Sequence, residues 1–208
     1  MKVFLDVDAL HKLGSYDALN AFLALLQAKP SDVRVPGTAR FKLRLADPAA
    51  ATRRHGPQVA ARLTAFISVV SQITEGLTEA EKKELADIPG LDPGELLLVA
   101  MACREDDAII VTGDKNALRT LATDPRCAKY ASKLAGRVVC LEQVLFDLMK
   151  LHGFDWLWSR VQASPGADRG VAMVVAPGMG ASDANAREGF TSLISHLRGE
   201  TGSLLRVP

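Results

Sequence analysis

The chain is short of several things, and each shortage excludes something. Aromatic residues make up only 5% of its 208 residues, so a β-surface lined with base-stacking rings is not supported. The three cysteines, Cys103, Cys127 and Cys140, are odd in number and scattered. They fit neither a disulfide framework nor a paired zinc-ligand spacing, which points to a reducing compartment. No apolar run approaches the roughly 18 residues of a membrane span. Residues 1–10 begin a strand pattern at once, without the apolar core or cleavage site of a signal peptide. A soluble, cytoplasmic protein with no membrane partner is expected. Charge of one sign is also lacking: 25 Lys plus Arg face 24 Asp plus Glu, so no global field attracts nucleic acid, although local patches remain possible.

What is present is an alternation of short apolar stretches and helical patterns. "VFLDVDAL" (3–10) reads as a strand, "YDALNAFLALLQA" (16–28) as a helix, and "DVRVPGT" as a second short strand. "ARFKLRLAD" reads as a helix, "AAATRRHGPQ" as a basic loop, and "QVAARLTAFISVVSQI" (58–73) as one buried helix. "TEAEKKELADI" opens with the capping box Thr78/Glu81, and "LDPGELLLVAMACRED" is a further helix. "AIIVTGD" and "RVVCL" are buried strands, each followed by a helix. Such alternation predicts an α/β three-layer sandwich, with a mainly parallel central sheet and helices on both faces.

After residue 152 the pattern changes. Residues 1–152 read as one domain and 153–208 as a C-terminal extension of unassigned role. Within the extension, "VAMVVAPGMG" offers a strand, "ASDANAREGFTSLISHLRG" a helix, and "ETGSLLRVP" a loosely held tail. Trp156 and Trp158 suit a buried junction, with an oligomer interface as the alternative.

Ligands of open parallel sheets bind beyond the carboxyl ends of the strands. Asp6 and Asp8 are expected there, on one face by strand alternation, and so is Asp114. Glu95, in the first turn of the helix leading to the Asp114 strand, is expected at the same rim. Each has a local role open to it: Asp92 and Glu95 suit a helix start, Asp114 suits an N-cap, and neighbouring N–H groups could satisfy Asp6. Together they pose an electrostatic problem. Two carboxylates ~4 Å apart repel by about 4 kcal/mol at an effective dielectric near 20. A shared rim therefore calls for protonation, a lysine or a divalent cation, and oxygen ligands favour magnesium or manganese.

These residues resemble the signatures of PIN-domain ribonucleases. "MKVFLDVDAL" is similar to that family's opening, a strand ending in Asp with Asn or Asp two residues on. "GELLLVAMACREDDAIIVTGDKNALR" resembles its second signature, an acid starting a helix followed by T-x-D-x-[DN]. The resemblance covers roughly residues 1–150. It implies a metal-dependent endoribonuclease, toxin-like or RNA-processing, with Mg2+ or Mn2+ held by Asp6, Glu95 and Asp114. Asp8, Thr112 and Asn116 would orient ligands or water around them. One departure stands out. The family usually carries a glutamate on the helix after the second strand, but here no Glu occurs from 9 to 74, and Lys42 stands at the best matching position. A lysine there would give the acids a positive charge without metal, and the fold would be a catalytically inactive scaffold for RNA or protein.

RNA is the expected partner; an antitoxin-like protein and a second copy of the chain are further candidates. Arg40, Arg44, Arg53 and Arg54 form one basic stretch with His55 and Arg62 nearby. Lys115 and Arg119 begin another that continues through Arg126, Lys129, Lys133 and Arg137. Phosphate contacts of this kind give affinity without sequence preference. A rival enzyme class also matches: "FLDVDAL" satisfies the D-x-D opening of haloacid-dehalogenase-type phosphatases, with Asp6 as nucleophile and Asp8 as acid/base. That pattern lacks its usual Gly-Thr after the second Asp, and it leaves Glu95 unused.

Overall fold

The computed structural model describes residues 1–176 and 178–207. Five short stretches form strands: β1 (Lys2–Leu5), β2 (Val33–Pro36), β3 (Ser71–Ile73), β4 (Ala108–Thr112) and β5 (Val138–Cys140). They make one all-parallel sheet in the order β3-β2-β1-β4-β5. Every residue of β4 and β5 is buried, as continuous apolar runs in a sheet covered on both faces should be.

The helices in chain order are α1 (Val7–Ser15), α2 (Leu19–Leu25), α3 (Ala39–Lys42), α4 (Pro48–His55), α5 (Pro57–Val69), α6 (Glu79–Glu84) and α7 (Pro93–Cys103). After β4 come α8 (Lys115–Thr123) and α9 (Ala128–Lys133). After β5 come α10 (Leu141–His152), α11 (Phe154–Ala163), α12 (Arg169–Val175) and α13 (Asp183–Thr201). Crossovers between parallel strands are right-handed, so connections that run in opposite directions along the sheet cover opposite faces. Accordingly α1 packs on α2 and α5, and α2 on α10, while α7 packs on β1, β2 and β4 and on α9, which meets α8. The result is the expected three-layer α/β sandwich. No helix among the described residues is long and apolar enough to cross a membrane.

Four local expectations are corrected. The first strand stops at Leu5, because Asp6 caps α1 and the chain is helical from Val7. The 58–73 stretch is not one helix: α5 ends at Val69 and β3 follows. The Val-Val pair at 69–70 gives a physical reason, since β-branched side chains lose rotamer freedom in a helix, and Ser71 finds a register partner in Arg34. The basic loop after residue 47 is mostly helix, started by Asp47 as N-cap and Pro48 in the first turn. The strand expected from residue 171 is α12, whose Val171 amide donates to the capping Asp168; Pro177 of that stretch lies outside the described residues.

The tail is tied down as well. Gly136 N donates to Ser203 O at 2.7 Å, Val138 N to Leu204 O, and Arg206 N to Val138 O, so the tail runs along the outer edge of β5. The last residue of the tail expectation, 208, is also outside the described residues. Residues of 153–208, among them Leu157, Val171, Phe190, Leu197 and Leu205, belong to the same hydrophobic cluster as the sheet. Helix α13 packs on α8, α10 and α12.

Candidate functional site

From β1 the chain builds the sheet first to one side and then, from β4, to the other, so the topological switch point lies between β1 and β4. Asp6 is the first residue beyond β1. Its Oδ1 accepts from Val7 N at 2.7 Å, its Oδ2 from Asp8 N at 3.2 Å, and the Thr112 hydroxyl donates to Oδ2 at 3.3 Å. Thr112 ends β4, and its oxygen in turn accepts from Asp114 N at 3.1 Å. Asp114 caps α8, with Oδ1 accepting from Asn116 N and Ala117 N. One hydroxyl therefore ties the ends of the two central strands.

Glu95 sits on the opposite helical layer, in the first turn of α7. Asp92 caps that helix and Glu95 Oε2 accepts from Asp92 N at 2.7 Å, completing a capping box. Beneath Asp6 and Glu95 lies a cavity of about 20 Å3, otherwise lined by Thr112 and apolar side chains such as Leu98, Val99 and Ile110. It has room for about one water molecule.

All three acids thus fill local capping roles, but two behave unlike ordinary caps. Burial, with the Asp8 charge adding to it, pushes the Asp6 carboxyl up to about 6, and its three local donors only partly oppose this. Burial also pushes Glu95 up to about 7, against the Asp92 amide and with the charges of Asp114, Asp92 and Asp6 adding to the rise. Asp6, Glu95 and Asp114 therefore share one electrostatic neighbourhood. Among the described residues, no three His, Cys, Asp or Glu side chains stand together as a ready-formed metal cage.

Asp8 is not on a strand face with Asp6. It lies in the first turn of α1, and its Oδ2 is 2.6 Å from Lys12 Nζ. A Cβ on Gly113 would fall 2.3 Å from that same oxygen, so the turn after β4 closes on Asp8 only because residue 113 is glycine. Asn116 is exposed, and its Oδ1 accepts from Arg119. Lys42 pairs with the helix cap Asp92 at 2.5 Å; Asp92 is drawn below the usual range because Lys42 and local amides outweigh its burial.

The basic candidates divide. Arg40, Arg44, Arg53 and Arg54 are exposed on and around α3 and α4; Arg54 also donates to Lys42 O. Lys115 and Arg119 are committed to Glu142 and Glu200. Further along, Arg126 pairs with Asp124, Lys129 with Glu84, and Arg137 donates to backbone carbonyls.

The sequence reading missed Lys12, Asp168, Glu142 and Tyr16. Lys12 bridges Asp8 and Asp168, and Lys115 reaches Glu142, which is only 2% exposed. The Tyr16 hydroxyl is fully buried near the charges of Asp168, Asp8 and Glu142. The i,i+4 spacing of Asp8 and Lys12 was a usable signal once residues 7–15 are known to be helical; nothing in the chain announces the pairing with Asp168. Comparison with known proteins returns no match to this chain, whether against family models, curated protein sequences or solved structures.

Proposed function

We propose that this chain is a metal-dependent endoribonuclease of the PIN type, acting in the cytoplasm on RNA phosphodiesters. The observation that carries the reading is that Asp6 and Glu95 line one small cavity at the switch point, with the Asp114 charge acting on Glu95. Asp6 and Glu95 have helix-start N–H donors, which ordinarily hold an acid ionised, yet burial lifts both, with the Asp8 charge adding at Asp6 and the charges of Asp114, Asp92 and Asp6 adding at Glu95. Lys42 neutralises Asp92 rather than either of them.

The donor set fits a hard cation. It is all oxygen, and Glu95 Oε1 and Asp114 Oδ2 have no protein hydrogen-bond donor among the described residues. Asp6, Glu95 and Asp114 would hold the ion; when bound, magnesium or manganese supplies Lewis acidity at phosphorus and makes water nucleophilic near neutral pH. Thr112 fixes the Asp6 carboxylate and the Asp114 backbone relative to each other. The exposed arginines of α3 and α4 supply phosphate contacts without sequence preference.

The test pairs a labelled single-stranded RNA with a chromogenic phosphomonoester, each with manganese and with EDTA. Cleavage of the RNA alone, lost in Asp6→Asn with the fold intact, is expected. Manganese should also raise the melting temperature. Turnover of the monoester without RNA cleavage would instead favour a phosphatase using Asp6 and Asp8. No turnover and no manganese stabilisation would leave an inactive scaffold whose acids serve only as helix caps.

A further inference from the structure

The basic surface of α3 and α4 holds one residue that its charges do not explain. The apolar residues Ala39, Leu43, Leu45 and Ala51 of this segment are buried and fix it to the core. Phe41 is not: it is 66% exposed, and among the described residues no other phenylalanine is exposed. A lone exposed apolar side chain is ordinary, so the meaning of this one lies in its surroundings. Arg40 and Lys42 flank it, and Arg44, Arg53 and Arg54 are exposed on the same pair of short helices. Arg54 donates to Lys42 O at 2.8 Å, and a ring nitrogen of His55 lies 2.9 Å from Leu43 O. These contacts fasten the end of α4 to the end of α3, so the second pair of arginines is brought to the ring by the fold.

The charge of this surface is uncompensated. From 33 to 74 the only acid is Asp47, and its Oδ1 is taken by the amides of Ala49 and Ala50. The arginine ion pairs of the described residues belong to Arg62, Arg104, Arg119, Arg126 and Arg187. Arg40, Arg44, Arg53 and Arg54 are in none of them. Unpaired guanidiniums of one sign, with no competing carboxylate, suit phosphate oxygens. Phosphates alone give an exposed ring nothing to do. A base does, because every base has a face to stack, and that face is open only when the base is out of a duplex.

The surface also borders the acidic rim. Lys42 Nζ lies 2.5 Å from Asp92 Oδ2, and a Cβ on Gly94 would stand 3.4 Å from the same ammonium. Helix α3 therefore touches the start of α7 one residue before Glu95. On another side the His55 ring meets that of His11, on α1, at 4.9 Å between centroids. A strand held on α3 and α4 thus lies next to the candidate acids.

We propose that Phe41 is a base-stacking residue, receiving one unpaired base of a single-stranded nucleic acid whose phosphates are held by Arg40, Arg44, Arg53 and Arg54. The choice of a single strand follows from the ring and the charge together. That the strand is RNA, and is cut by the neighbouring acids, rests on the nuclease reading.

Fluorescence anisotropy of a labelled single-stranded oligoribonucleotide, measured in EDTA so that no cleavage occurs, tests this directly. The intact chain should bind it more tightly than a duplex of the same length. Phe41→Ala should weaken binding about fivefold or more, the lower end of what one base–aromatic stack supplies, with the melting temperature unchanged. Phe41→Tyr should retain the affinity. An abasic phosphodiester strand of the same length should bind the intact chain and Phe41→Ala equally, whereas Arg53→Ala should weaken both strands alike. In Phe41→Trp, the emission added to that of the intact chain should be quenched by the base-bearing strand and not by the abasic one. If RNA is cleaved in manganese but Phe41→Ala changes neither affinity nor KM, the inference is overturned while the nuclease stands. If RNA binds in a Phe41-dependent way and is not cleaved, the nuclease reading fails and the stacking site stands. Preference for the duplex, an equal loss on the abasic strand in Phe41→Ala, or no binding by the intact chain overturns the inference whatever the cleavage result.

Discussion

An aspartate at a helix N-cap ordinarily titrates low, because free amides and the helix dipole favour its charge. Asp6 has the amides and still rises to about 6, so its burial beneath α7 and the nearby Asp8 charge outweigh them. A carboxyl raised in the folded state binds its proton more tightly there than in the unfolded chain. Stability is therefore fullest below the unfolded value near 4 and is lost as pH climbs through 6 and, for Glu95, 7. For Asp6, which is 7% exposed, the loss amounts to about 3 kcal/mol at 1.36 kcal/mol per unit. His11 acts in the opposite sense: burial, with His55 adding to it, holds its pKa low, so its contribution grows as pH rises. Urea unfolding in EDTA, run at pH 5 and pH 8 on the intact chain and on Asp6→Asn, separates the two. The intact chain should lose more stability between these pH values than the variant, and saturating manganese should remove the difference. Parallel pH profiles for the two proteins would mean that the Asp6 charge is already compensated within the fold.

At the level of elements, much of the architecture is written in helix starts. Asp92-Pro93 with Glu95, Thr78 with Glu81, and Asp114 before "KNAL" all cap the helices they were expected to cap. These signals are local, a side chain meeting an amide two or three residues on, and so they survive without tertiary context. What stayed hidden depends on partners distant in sequence. Ser71–Ile73 is a strand because Arg34, Val35 and Pro36 are there to pair with it. "VAMVV" is β-branched and reads as a strand, but the Asp168 cap and packing against α11 and α13 make it a helix. The candidate acids and the charged neighbours of Asp6 and Glu95 were legible by type and order, whereas the burial that dominates both shifts depends on the packed fold and was not.

Lys42 shows the difference. Its position beside the rim was expected, but its partner is the cap of α7. Both groups are about half exposed, at 42% and 48%, and such a pair contributes on the order of 1 kcal/mol or less. Lys42→Ala should therefore lower stability by no more than about 1 kcal/mol in chemical denaturation and leave manganese stabilisation in place. A much larger loss, with manganese no longer binding, would return Lys42 to the role of a cation substitute.

The whole molecule closes on itself at β5. Without the tail, β5 would be an open edge, and unpaired edges invite pairing with other chains. The tail covers that edge with backbone hydrogen bonds from Gly136, Val138 and Arg206, and Gln143 Nε2 adds one to Arg206 O at 2.7 Å. Leu204 and Leu205, each 2% exposed, are buried in the process. Burying a leucine is worth roughly 1.5–3 kcal/mol, so removing residues 203–208 should cost about 3–6 kcal/mol from the side chains alone. The acidic rim lies at the ends of β1 and β4 and at the start of α7, not at β5, so the cost should fall on stability rather than on the acids. The truncated chain is expected to unfold at markedly lower urea and to self-associate in size-exclusion chromatography. Leu205→Ala, which keeps the backbone pairing, should lose stability by about 2–5 kcal/mol without self-association. If truncation left both stability and monodispersity unchanged, the tail would not be the strap that protects this edge.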